Sequence, residues 1–72
     1  MKLMLVMHIC SALYNTCPAS NVVPEIYDDY NTCITAGYVK SLNTIKEMGE
    51  EDVNKYMIFI KFVCTQDTRT ST

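Results

Sequence analysis

At 72 residues the chain has room for one domain, near the lower limit at which a hydrophobic core holds without disulfides, metal or association. Eight acids against six bases give a net charge of -2, without the clustered basic face of a nucleic-acid binder. An apolar fraction of 49% argues against disorder, and no run approaches the ~20 apolar residues of a membrane-spanning helix.

The first predicted element is a strand over about residues 2–10, where residues 3–9 hold six apolar side chains and one polar. Alternation puts Leu3, Leu5, Met7 and Ile9 on one face and Lys2, Met4, Val6, His8 and Cys10 on the other. Met1-Lys2, this short apolar run and the small residues Cys10-Ser11-Ala12 also match a weak export signal, so export is the alternative to an integral strand. A β-helix-β order gives parallel neighbours by the right-handed crossover rule, whereas residues 11–24 are long enough to return the chain and make the two end strands antiparallel.

Residues 25–48 read as one long amphipathic helix. At 100° per residue, Ile26, Tyr27, Tyr30, Cys33, Ile34, Gly37, Tyr38, Ser41, Ile45 and Met48 share one half of the wheel. Pro24 suits the first turn, Glu25, Asp28 and Asp29 complement the helix dipole, and Gly49 marks the stop. Gly37 and Ser41 stand on the apolar half where large residues are the rule. A glycine there costs ~1 kcal/mol of helix propensity, and close approach of the helix backbone to the sheet accounts for it. A ligand pocket beside Gly37 is the alternative.

A short second helix or turn follows over residues 50–56, with Glu51 and Lys55 spaced as an i,i+4 pair. The second strand covers about residues 57–64, again with six apolar residues and one polar in the first seven. Ile58, Ile60, Phe62 and Cys64 share one face; Met57, Phe59, Lys61 and Val63 share the other. The fold class is therefore α+β, a small β-α-β type domain over residues 1–64 with a polar tail over residues 65–72. One helix covers one sheet face, which leaves Met4, Val6, Phe59 and Val63 as a possible interaction surface. Either residues 11–23, through Ala12, Tyr14, Val22 and Val23, fold back over that face, or a partner covers it: a second copy in a homo-oligomer, or another protein.

Four cysteines admit three pairings. Helix and strand phases favour Cys33 with Cys64, leaving Cys10 with Cys17 across a short loop; four buried free thiols are the alternative. No C-x-x-C pair occurs, so neither the common zinc spacing nor the redox motif is present. A lone His8 beside Cys10, with no carboxylate close in sequence, and two glycines in all leave little for catalysis or phosphate binding. No metal and no cofactor is expected. The five tyrosines suit interfaces as well as wet-edged cores.

Several scattered segments carry a resemblance: Cys17-Pro18, Tyr27-Asp28-Asp29-Tyr30-Asn31-Thr32-Cys33, Ala36-Gly37-Tyr38 with Ser41, Gly49-Glu50-Glu51 with Val53-Asn54-Lys55, and Ile60-Lys61-Phe62-Val63-Cys64. Together, from Cys10 to Cys64, the chain resembles small uncharacterised proteins of marine bacteriophages. The resemblance implies a phage origin and an accessory role, in the host cytoplasm or the virion, and carries no activity or site residues. The expected function is protein–protein interaction without catalysis, as a modulator of a host protein or a minor assembly or decoration component. The alternative is a small ligand-binding or enzymatic domain using His8 and Cys10 or the space beside Gly37.

Overall fold

A computed structural model describes residues 2–66. Its elements run β1 (Leu3–Ser11), β2 (Thr16–Tyr27), α1 (Tyr30–Met48), α2 (Glu50–Tyr56) and β3 (Ile58–Gln66). The three strands form one antiparallel sheet in the order β2-β1-β3, so the two strands read at the chain ends are neighbours. Their ladder is unbroken over nine pairs, from Leu3 opposite Gln66 to Ser11 opposite Ile58. Thr65 and Gln66 thus extend the strand rather than begin a tail, and the rest of the proposed tail lies outside the described residues.

The segment read as a return loop is instead the edge strand β2. Asn15, in the left-handed conformation at φ 55, turns the chain at the β1–β2 hairpin, a conformation asparagine tolerates better than most residues. Both prolines of β2 sit where the ladder slips. One residue of β1, Cys10, faces Cys17 and Pro18; further along, Leu5 alone faces Val23, Pro24 and Glu25. Bulges on an edge strand accommodate residues that have no N–H to donate.

Strand pairing also moves the start of the helix from residue 25 to Tyr30. Tyr27 pairs with Leu3 and Ile26 with Met4, and this tertiary pairing overrides the helical phase of the two side chains. Asp29, extended at φ -142, is the N-cap and accepts a hydrogen bond from the Thr32 amide at 3.3 Å. Asp29→Ala should cost about 1 kcal/mol, read as a lowered midpoint with unchanged slope in urea unfolding. The helix ends at Gly49, whose φ of 93 favours glycine and whose amide bonds back to Ile45.

Helix α1 crosses one face of the sheet, mainly over β3 and β1. Leu3, Leu5, Met7, Val23 and Cys33 form the buried core, with Tyr27, Ala36, Ile60, Phe62 and Cys64 packed around it. The Phe62 ring occupies the space that a side chain at Gly37 would need. Close approach therefore accounts for the glycine, and the pocket proposed beside it is filled by that ring. Tyr38 meets the same ring edge-on, with centroids 5.0 Å apart.

Two disulfides close the frame. Cys33–Cys64 ties α1 to β3 inside the core, and Cys10–Cys17 clamps the β1–β2 hairpin, with S–S distances of 2.15 and 2.05 Å. The buried Ser11 hydroxyl donates to the Tyr56 carbonyl at 2.6 Å and accepts from the Tyr14 amide at 3.2 Å. The Ala12 amide donates to the Met57 carbonyl at 2.9 Å, so the hairpin is bound to the α2–β3 joint.

Candidate interaction face

Side chains opposite one another in an antiparallel ladder share a face, so the two registers define the far side of the sheet. Ile26, Met4 and Thr65 form one row across it, Val22, Val6 and Val63 the next, and Ser20, His8 and Lys61 the third, with Cys10 beside Phe59 beyond. Among the described residues no element lies over this face. Phe59 is 42% exposed, Val63 50% and Val22 44%, while Met4 and Val6 in the central strand are half-buried by their neighbours.

The sequence-predicted quartet Met4, Val6, Phe59 and Val63 therefore stands together on the uncovered side. Of residues 11–23, Ser11 ends β1, 12–15 make the turn, and 16–23 lie beside β1 in β2 and widen the face, adding Val22, while Ile26 joins from beyond that segment. Those two side chains went unassigned to the face because Pro18 and Pro24 argue against a strand and because Ile26 fits the helical wheel. The available signal was Val22-Val23, one side chain for each face of a strand.

A polar row crosses the face between Val6 and Phe59. His8 Nδ1 and Ser20 Oγ are hydrogen-bonded at 2.8 Å across β1 and β2, and Lys61 stands opposite His8 on β3. A serine–histidine pair is the beginning of a nucleophile–base arrangement, but no third group is seen orienting the ring among the described residues. Cys10, the other half of the alternative catalytic pair, has its sulfur bonded to Cys17 and carries no thiol. Among the described residues no three His, Cys, Asp or Glu side chains converge as metal ligands, and no helix is long and apolar enough to cross a membrane.

Among the described residues two lysines are ion-paired. Lys2 pairs with Asp28, and its hydrogen bond and charge hold that carboxyl below the usual carboxylate range. Lys40 on α1 reaches Glu25 on β2 at 3.0 Å, and this hydrogen bond raises the Lys40 ammonium above its ordinary value. Glu25 and Asp28 thus bind lysines rather than complement the helix dipole. Lys55 lies over the Tyr56 ring, 5.3 Å from its centroid. These groups are solvated and contribute little to stability. No protein-family model, curated protein or solved structure matches the chain.

Proposed function

We propose that this chain is a non-enzymatic accessory protein, phage-encoded, that acts by binding another protein through the open face of its sheet. The observation that carries the reading is the contiguous apolar surface of Met4, Val6, Val22, Ile26 and Val63, with Phe59 exposed beyond the Ser20–His8–Lys61 row, on a domain too small to cover it. Soluble monomers rarely keep such a patch without a use for it. Both cysteine pairs in the disulfide state support a place in the virion or beyond the host cytosol, since reducing compartments keep thiols free. A minor assembly or decoration component fits that setting better than a cytosolic modulator.

Affinity capture from infected-cell lysate and from purified particles tests the proposal, using the wild type beside Val22→Lys and Val63→Lys. Both positions are exposed enough to accept lysine without disturbing the core. Wild type should retain a stoichiometric protein that each lysine variant loses by tenfold or more, with Val39→Lys on the solvent side of α1 as the control. Equal capture by all four proteins would overturn the open face as the binding surface.

A further inference from the structure

We infer that the open face takes a protein other than this chain that presents a carboxylate to His8 and Lys61, with apolar side chains on either side of that acid. This deepens the proposed function and rests on it. The row of Ser20, His8 and Lys61 crosses the face between Val6 and Phe59, so polar groups stand inside the apolar surface and not at its border. Along β3, Val63 and Phe59 flank Lys61 at two positions each way, about 7 Å, and are 50% and 42% exposed. A partner that covers both also spans the lysine. Water then leaves its surroundings, and a desolvated ammonium without an anion is costly.

His8 provides a second donor. It stands directly opposite Lys61, where facing residues of an antiparallel pair have Cβ atoms about 5 Å apart. Its Nδ1 is held by Ser20 Oγ at 2.8 Å, and Nε2 has no protein partner among the described residues. With the Ser20 hydroxyl donating, the ring proton is on Nε2. One carboxylate then has an oxygen for Nε2 and another for Lys61 Nζ, a charge-assisted contact that a neutral acceptor does not equal.

The face supplies no acid of its own. Its rows from Met4 to Phe59 hold no aspartate or glutamate; Glu25 and Asp28 are bound to lysines, Asp29 caps α1, and Glu47, Glu50, Glu51 and Asp52 belong to α1 and α2. The chain is acidic in total, at -2, yet Lys61 stands uncompensated among these rows. Two copies set face to face bring no carboxylate to either lysine, so charge selects against that contact. A copy docked by its α2 acids leaves its own face open and adds further copies without closing. One lysine is also too little charge for a nucleic acid or an anionic membrane, which take basic clusters. An acidic protein surface with apolar flanks fits both the charge and the apolar rows.

Retention of the purified protein on an immobilised random copolymer of glutamate and tyrosine tests the class of partner. Lys61→Gln should weaken retention by roughly fivefold or more, with Lys46→Gln on α1 changing it less than twofold and Lys61→Arg retained as wild type. Carbodiimide treatment of the bound protein should join Lys61 Nζ to a glutamate carboxyl as an amide, with loss of water, and Lys61→Arg should form no adduct at that position. The same treatment of the complex captured by the open face should map Lys61 to an aspartate or glutamate of a different chain. Wild type that is not retained, equal losses from Lys61→Gln and Lys46→Gln, or a Lys61 amide to Glu50, Glu51 or Asp52 of a second copy each overturn the inference. Capture lost in Val22→Lys and Val63→Lys but unchanged in Lys61→Gln keeps the open face as the binding surface and overturns the carboxylate alone. Equal capture by wild type and both valine variants overturns the two together.

Discussion

Replacing both Cys33 and Cys64 by alanine is expected to lower the thermal midpoint by roughly 15–25 °C, the largest effect of any change considered. The bridge joins residues 31 apart in sequence, and the chain entropy it removes from the unfolded state corresponds to about 3–4 kcal/mol. Cys33 is wholly buried, so truncation adds a small cavity to that loss. The Cys10–Cys17 bridge spans only 7 residues and holds strands that a hairpin turn already brings together. Its removal should cost about 2.5 kcal/mol at most. The order of the two double variants in a calorimetric melt checks the account: Cys33/Cys64 must fall below Cys10/Cys17. Equal midpoints would mean that the helix-to-strand bridge does not hold the core.

Gly37→Val should destabilise the domain by about 3 kcal/mol, although valine is the better helix residue. The Phe62 ring lies where the new side chain must go, with Tyr38 against its edge, so the ring has to leave its place or α1 has to lift from β3. Lifting is opposed by the Cys33–Cys64 bridge one turn away. A cycle with Phe62→Ala separates this clash from propensity. In the Phe62→Ala background Gly37→Val should be nearly neutral or stabilising in urea unfolding, a coupling of 2 kcal/mol or more. Additive effects would show that the glycine serves some other purpose than ring packing.

Much of the architecture was legible because its signals are local. The end strands announce themselves by apolar runs, and Gly49 by its place after the last helical turn. Phase alone also brought Cys33 and Cys64 to facing positions. What escaped was β2, whose prolines are disfavoured in strands in general yet tolerated at bulges on an edge. That omission displaced the helix start as well, since Ile26 and Tyr27 satisfy a helical wheel and an edge strand equally and only pairing with Met4 and Leu3 decides between them. Tyr38 shows the limit of a wheel in another way: it belongs to the apolar half yet sits on the flank, exposed, because the sheet beneath α1 ends at β3.

The uncovered face was legible as an imbalance, two strands apolar on both faces against one helix, and Met4, Val6, Phe59 and Val63 were named by period alone. Its full width depended on β2 joining the sheet beside β1 rather than covering it. His8 found an unforeseen partner in Ser20 for the same reason.

Site-specific photo-crosslinking in cells that produce the protein tests the central claim most directly, with the photoreactive residue placed at Val22 on the open face or at Val39 on the solvent side of α1. The open-face account predicts one discrete covalent adduct from Val22, of a mass other than twice the chain, and none from Val39. No adduct at Val22, or equal adducts at both positions, would contradict it.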